Sequence, residues 1–178
     1  MKIKNLRVNH VSCPVGFQTM PLSLSWTVED SGEARGQMWA RVQLFENDTE
    51  IFDSGEDSLA DPVDFQIPEI VTLKPRTVYT WTVTVMADNG ETAQAGSYFE
   101  TGKMEEPWQG QWISPENSTS SAILRKKFIV EALGAARLYM CGLGLYECYI
   151  NGKKAGNEFL SPGYHSYDFH LQAQTYDV

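Results

Sequence analysis

The sequence has few cysteines, and its cysteines do not form a recognisable motif. Only three occur in 178 residues, Cys13, Cys141 and Cys148, and no two of them form a CxxC pair. A disulfide framework needs a denser and paired set, and a structural zinc site needs closely spaced ligands. The pattern therefore favours free thiols and predicts no metal, although Cys141 and Cys148 flank a glycine-bearing turn across which they could pair.

Basic residues and long hydrophobic runs are also scarce. There are 14 basic against 23 acidic residues, a net charge of −9. This balance argues against nucleic acids and anionic membranes as partners, because both require a concentrated positive field. No apolar stretch is long enough to span a bilayer, and the first ten residues, "MKIKNLRVNH", lack the apolar core of a signal peptide. We therefore expect a cytoplasmic protein without a membrane partner.

Recognisable catalytic motifs are absent from the sequence. It contains no GxSxG, GxGxxG, P-loop or HExxH pattern, and His10, His165 and His170 are too scattered for a triad, so we expect them to be solvated. The acidic stretch 53–61 lacks the spacing of an EF-hand and is interpreted as a solvated turn. No catalytic residue, metal or cofactor is predicted.

What the sequence does contain is apolar side chains that alternate with a period of two. The clearest example is "VYTWTVTVMA", which ends at Asn89-Gly90, a strong hairpin signal, before "TAQAGSYFETG" returns. "LSLSWTV" and "MWARVQLF" alternate in the same way, the latter with Met38 on the face of Ala40. Turns fall at the spacing of a sandwich, so the pattern predicts an antiparallel all-β fold.

One stretch specifies the sandwich further. In "LKPRTVYTWTV", Leu73 is followed six residues later by Tyr79 with Pro75 between them, which is the layout of a tyrosine corner. With Trp26 as a core anchor on an early strand, residues 1–103 resemble a fibronectin type III or immunoglobulin-like sandwich.

A second β-module is predicted over residues 104–178. The stretch "TGKMEEPWQG" interrupts the strand pattern as a linker does, and alternation resumes at "ILRKKFIV" and continues through "ARLYMCGLGLYECYING". Asn151-Gly152 predicts a hairpin turn. Three or four strands in such a length leave an unpaired edge, so we expect an incomplete module that self-associates through its open sheet edge.

The second module also holds the candidate binding residues. Sugar sites commonly stack an aromatic ring on the pyranose and add amide hydrogen bonds, and Tyr149, Asn151 and Tyr164 offer such groups. The alternative interpretation is structural, because aromatics that alternate along a strand usually belong to the core and Asn-Gly usually serves only the turn.

The same stretch resembles a known family. The runs "LRKKF", "ARLYMCGLGLYECYINGKKAGNEFLSPGYHSYD" and "TYDV", preceded by "WQGQWI", are similar to the N-terminal region of bacterial α-L-rhamnosidases. The resemblance implies a jelly-roll-like module after a fibronectin-like one. The chain departs from the family at Tyr164, where tryptophan usually follows Pro-Gly, and at Cys141 and Cys148.

The resemblance also implies a function. Enzymes of this family release terminal α-L-rhamnose from glycosides with inversion, using carboxylates in a downstream α/α barrel. The resemblance therefore implies that this chain is a non-catalytic part of such an enzyme. It also implies that rhamnose-containing glycosides are partners through the parent enzyme. A free-standing carbohydrate-binding module or a protein-interaction module remains the alternative.

Overall fold

The computed structural model describes residues 1–17, 19–116, 121–131 and 134–178. The chain separates into two compact units, Met1–Met104 and Glu105–Val178. Within the described ranges, no helix is long and apolar enough to cross a membrane. Every regular element in those ranges is a β-strand, which confirms the predicted all-β fold class.

The first unit, over residues 1–17 and 19–104, contains eight strands in two sheets. In chain order they are β1 Lys2–Val8, β2 Val15–Phe17, β3 Ser23–Glu29, β4 Gln37–Glu46, β5 Thr49–Asp53, β6 Phe65–Gln66, β7 Val78–Ala87 and β8 Thr92–Thr101. One sheet has the order β1-β3-β6 and the other the order β2-β8-β7-β4-β5. All neighbours are antiparallel except β2 and β8, which run parallel.

The core of this unit is built from the alternating apolar positions of β3, β4 and β7. A single buried cluster joins Leu24 and Trp26 of the three-stranded sheet to Val42, Leu44 and Trp81 of the five-stranded sheet. Because successive side chains of a strand point to opposite faces, one face of each sheet is apolar and the two faces enclose the core between them. The first unit is therefore a β-sandwich.

The prediction for Met38 was wrong. Its side chain is 49% exposed, whereas Ala40, Val42 and Leu44 on the same strand are fully buried. The pairing of β4 with β7 shifts register between Gln37 and Trp39. Such a bulge places an extra residue on one strand, so Met38 is removed from the alternation that holds from Ala40 onward.

The strands in the described part of the second unit form two short ribbons. Its strands are β9 Arg137–Cys141, β10 Tyr149–Ile150, β11 Lys153–Lys154 and β12 Ala173–Asp177. The pairs β9–β12 and β10–β11 are antiparallel and form separate sheets. Few apolar side chains of this unit are buried, namely Ala155 and Tyr176 among the described residues.

The predicted strand in "ILRKKFIV" was wrong. The described residues 121–131 contain no strand. Side chains at both odd and even positions are exposed there, with Ile129 92% exposed and Phe128 66% exposed. A strand exists only as part of a hydrogen-bonded ladder. None of the described strands pairs with this segment, so its β-type composition alone does not produce regular structure.

Candidate functional site

The candidate site is the hairpin of β10 and β11. Its two turn residues both have positive φ, 49° for Asn151 and 80° for Gly152, which is the requirement of a two-residue type I′ turn. Tyr149 lies opposite Lys154 across the ribbon, and the Ala155 N–H donates to the Cys148 carbonyl at 2.9 Å. The predicted Asn-Gly hairpin is therefore confirmed, although its ribbon is a sheet of its own.

A polar and aromatic cluster covers one face of this hairpin. The Tyr149 hydroxyl donates to Glu147 Oε2 at 2.8 Å, and Lys154 Nζ donates to Glu147 Oε1 at 2.7 Å. The same ammonium group lies 4.5 Å from the centroid of the Phe159 ring, within the range of a cation–π contact. We call Glu147, Tyr149, Lys154 and Phe159 the hairpin cluster.

The charges of the hairpin cluster are fixed by these contacts. Hydrogen bonds from Lys154 and Tyr149 lower the pKa of Glu147, because they stabilise its carboxylate. The bond to Glu147 raises the pKa of Lys154 and that of the Tyr149 phenol. At neutral pH the cluster therefore presents an ion pair between two exposed aromatic rings, and its carboxylate is poorly suited to donate a proton.

The three predicted binding residues are placed differently. Tyr149 is 56% exposed and belongs to the hairpin cluster. Asn151 is exposed at the turn beside it. Tyr164 is 93% exposed and follows the Ser161-Pro162-Gly163 turn, with no hydrogen bond or ring contact to a residue of the described ranges. The structure thus joins Tyr149 and Asn151 in one hairpin and provides no contact that draws Tyr164 into it.

Three members of the hairpin cluster were missed by the sequence reasoning, namely Glu147, Lys154 and Phe159. A signal for two of them was present. Once Asn151-Gly152 is taken as a two-residue turn, Tyr149 must face Lys154, and Glu147 lies two residues upstream on the same side. Phe159 follows the hairpin in irregular chain, where no period predicts its position.

A hydrogen-bonded network of two tyrosines and a glutamine links Tyr146 to β12. The hydroxyls of Tyr146 and Tyr176 lie 3.2 Å apart, and both donate to the Gln174 side-chain oxygen. Burial, followed by the contacts with Tyr176, strongly raises the pKa of Tyr146. A Cβ on Gly142 would lie 2.5 Å from the Tyr146 ring, and one on Gly156 would lie 2.5 Å from the Tyr176 ring. The two glycines therefore provide the space that these rings fill.

The expectation of solvated histidines was wrong for His165. Its side chain is only 5% exposed, its Nδ1 accepts a hydrogen bond from the Gln172 N–H at 3.2 Å, and its ring lies 5.7 Å from that of Tyr167. Within the described ranges, no group of three His, Cys, Asp or Glu residues is arranged to hold a metal ion. His165 packs between neighbouring chain segments instead of facing water.

Two family models match this chain. The model described as "Rha78A-like, N-terminal immunoglobulin domain" matches residues 3–105. The chain belongs to this family. The model described as "Alpha-L-rhamnosidase N-terminal domain" matches residues 131–178, which include the hairpin cluster. The chain is thus the N-terminal region of an α-L-rhamnosidase-family protein, as its resemblance predicted.

Individual relatives carry the same name. An α-L-rhamnosidase from Formosa agariphila is 24% identical over 96% of this chain, which corresponds to 22% of that protein. One from Streptomyces avermitilis is 40% identical over 39% of this chain and 7% of that protein. The full 178-residue chain therefore spans less than a quarter of the length of these curated relatives.

Solved structures agree on the fold. The α-L-rhamnosidase from Dictyoglumus thermophilum superposes with a TM-score of 0.85 at 24% identity, covering 99% of this chain and 23% of that one. The enzyme from Aspergillus terreus gives a TM-score of 0.75 at 22% identity, covering 98% and 21%. At such low sequence identities, the structural similarity shows that this chain shares its fold with these solved structures, and the similarity concerns the fold alone.

Proposed function

We propose that this chain is the non-catalytic β-region of an enzyme that removes terminal α-L-rhamnose from glycosides. The observation that carries the proposal is the order of the two matched domains, an immunoglobulin-like domain over 3–105 followed by the α-L-rhamnosidase N-terminal domain over 131–178. In the whole protein the second unit belongs to a larger jelly-roll-like module, in keeping with its unburied apolar side chains.

The chemistry of the proposed reaction makes two carboxyl groups of this chain, those of Asp53 and Glu147, unsuited to the role of general acid. Inversion at the anomeric carbon needs one carboxylic acid that protonates the leaving oxygen and one carboxylate that activates water. The acid works best with a raised pKa. Hydrogen bonds from Arg41 lower the pKa of Asp53, and those from Lys154 and Tyr149 lower the pKa of Glu147, which is the opposite of what a general acid requires.

Neutralising these carboxyl groups in the whole protein tests the proposal. We expect Asp53→Asn and Glu147→Gln to leave kcat for an aryl α-L-rhamnoside within a few-fold of the parent value, since neither group meets the reacting bond. Removing a true general acid or base costs about 10²- to 10⁴-fold in rate. A loss of that size in a variant with unchanged circular dichroism and unfolding midpoint would refute the non-catalytic assignment.

A second candidate function is carbohydrate binding at the hairpin. The hairpin cluster favours it, because two exposed rings flank an ion pair, and the exposed Asn151 amide lies at the adjoining turn. Rhamnose is the expected sugar, with Tyr149 and Asn151 in contact with it and Tyr164 as the third predicted contact.

Calorimetric titration with rhamnose tests this candidate. Asn151→Gly keeps the positive φ that the turn requires but removes the amide, so binding should weaken while the hairpin remains. Asn151→Ala, which also strains the turn, is the comparison variant. Absence of heat with the unmodified chain would end the binding proposal, and an unchanged affinity in Asn151→Gly would remove Asn151 from the site.

A further inference from the structure

Two Asn-Gly pairs lie at hairpin turns of this chain, Asn89-Gly90 between β7 and β8 and Asn151-Gly152 between β10 and β11. An asparagine before glycine is chemically vulnerable, because the glycine nitrogen can reach the side-chain amide carbon and carries no side chain that blocks the approach. Both pairs are exposed, and a Cβ on either glycine would meet nothing within 4 Å. Exposure and packing therefore do not distinguish the two pairs, and their hydrogen bonds do.

Asn89 is held at both ends of its side-chain amide. Its Oδ1 accepts the Glu91 N–H at 3.0 Å, and its Nδ2 donates to the Ser31 carbonyl at 3.3 Å. The neighbouring nitrogen is occupied as well, because the Gly90 N–H donates to the Ala87 carbonyl at 3.0 Å. The turn also joins two strands of ten residues each. A reaction between Gly90 and Asn89 therefore requires several hydrogen bonds to break at the end of a long ladder.

Asn151 lacks these restraints. Its side chain forms no hydrogen bond with a residue that the structure describes, and the Gly152 N–H donates to no acceptor within the described ranges. The two strands that this turn joins contain only two residues each. Short exposed elements open locally at a small cost in free energy. The amide of Asn151 and the nitrogen of Gly152 are therefore available to react once the turn opens.

We propose that Asn151 is a site of spontaneous deamidation, where the folded chain converts an amide to a carboxylate while Asn89 is preserved. The Gly152 nitrogen loses its proton and forms a bond to Asn151 Cγ. The Cγ–Nδ2 bond breaks, and the amide nitrogen leaves as ammonia after gaining that proton, so that a five-membered succinimide remains. One water molecule then opens the ring. Cleavage of the new Cγ–nitrogen bond leaves aspartate, and cleavage of the original main-chain carbon–nitrogen bond leaves isoaspartate.

Both products change the hairpin of β10 and β11. Each places a negative charge at the turn where a neutral amide stood. Isoaspartate also adds one carbon atom to the main chain, and a two-residue type I′ turn cannot include that atom and keep the register of its strands. The pairing of Tyr149 with Lys154 therefore depends on the chemical state of Asn151. The reaction needs only water and does not depend on rhamnoside binding or hydrolysis.

Peptide mapping by mass spectrometry tests the proposal, with Asn89 as the control within the same chain. The full chain is incubated in mildly alkaline buffer, and the conversion of amide to acid is followed at both Asn-Gly pairs over time. We expect Asn151 to convert about tenfold or more faster than Asn89, because the hydrogen bonds that restrain Asn89 must break first. In concentrated urea the two rates should become similar, since the reacting residues are the same and the fold no longer separates them.

A variant assigns the reaction to one residue. Asn151→Gln has a longer side chain that would have to close a larger ring, so it should abolish the conversion in its own peptide and leave the rate at Asn89 unchanged. Conversion that persists in the peptide of Asn151→Gln would overturn the assignment, because another amide would then be its source. Equal rates at Asn89 and Asn151 in the folded chain would also overturn the proposal. So would a folded chain that keeps Asn151 intact while the chain in urea converts.

Discussion

The Tyr79 hydroxyl accepts a hydrogen bond from the backbone N–H of Lys74 at 2.7 Å. The Tyr79 ring is fully buried and stacks on Phe99 with centroids 5.3 Å apart. Burial raises the pKa of this phenol, so it remains neutral at physiological pH. This contact is the tyrosine corner that Leu73, Pro75 and Tyr79 predicted, and it closes the loop that precedes β7.

Removing the Tyr79 hydroxyl should destabilise the first unit. Tyr79→Phe leaves the Lys74 N–H without its acceptor, and an unsatisfied donor of this kind costs about 1–3 kcal/mol. Hydrogen exchange of the β7 amides in the full chain measures the loss. Tyr98→Phe, at a half-exposed position on β8, is the control. It should change the free energy of exchange by less than about 0.5 kcal/mol. Equal effects of the two variants would contradict a corner that depends on the hydroxyl.

Adding one methyl group at Gly156 should destabilise the second unit. Its φ is +75°, and an added Cβ would lie 2.5 Å from the buried Tyr176 ring. Gly152→Ala is the matched control, because φ is +80° there and nothing lies within 4 Å. Left-handed strain costs about 1–2 kcal/mol in both variants, and overpacking adds about 1–3 kcal/mol in Gly156→Ala alone. Hydrogen exchange of the β12 amides measures the stability lost in each variant. Equal losses of stability in Gly156→Ala and Gly152→Ala would show that the clash with Tyr176 is absent.

Alkaline pH should weaken the second unit through Tyr146. Its pKa is raised in the folded chain, so above the ordinary tyrosine value of about 10 the unfolded chain loses a proton that the folded chain keeps. The contribution is complete below that pH and declines as the pH rises toward the folded value. Protection of the β12 amides measured over this range should fall less steeply in Tyr146→Phe than in the unmodified chain. Tyr164→Phe, at an almost fully exposed position, is the control. If protection falls equally steeply with pH in Tyr146→Phe and in Tyr164→Phe, Tyr146 is not the source of the pH dependence.

The exposed apolar side chains of the second unit should make the chain self-associate. Ile129 is 92% exposed within a segment that has strand-type composition and is paired with none of the described strands. Unpaired segments of this kind recruit other chains. Sedimentation velocity should reveal oligomers that Ile129→Lys reduces, whereas Leu59→Lys, at a similarly exposed site in the first unit, leaves them intact. A monomer at every concentration would contradict self-association.

The fold of the first unit was predictable because its signals are local. Alternation at Tyr79, Trp81 and Val83 assigns one face of β7 to the core, and Asn89-Gly90 defines the return strand. The prediction for Met38 failed because a bulge is a property of two paired strands. The alternation within β4 alone therefore does not reveal where the bulge lies.

The second unit was less predictable because its strands depend on distant partners. The turn at Asn151-Gly152 is encoded by two adjacent residues and was found, whereas "ILRKKFIV" has the composition of a strand without a described partner. Burial of His165 arises from the Gln172 N–H and the Tyr167 ring, contacts that no short spacing rule predicts. Phe159 joins the hairpin cluster for the same reason, through Lys154.

The most direct test of the central claim is a paired hydrolysis assay with 4-nitrophenyl α-L-rhamnopyranoside. It compares the purified 178-residue chain with the full-length α-L-rhamnosidase of Streptomyces avermitilis as positive control. We predict release of 4-nitrophenol by the full-length relative and none above the buffer rate by the 178-residue chain. Sustained turnover by the purified chain, abolished by a substitution at one of its own carboxylates, would contradict the assignment of these residues to a non-catalytic β-region.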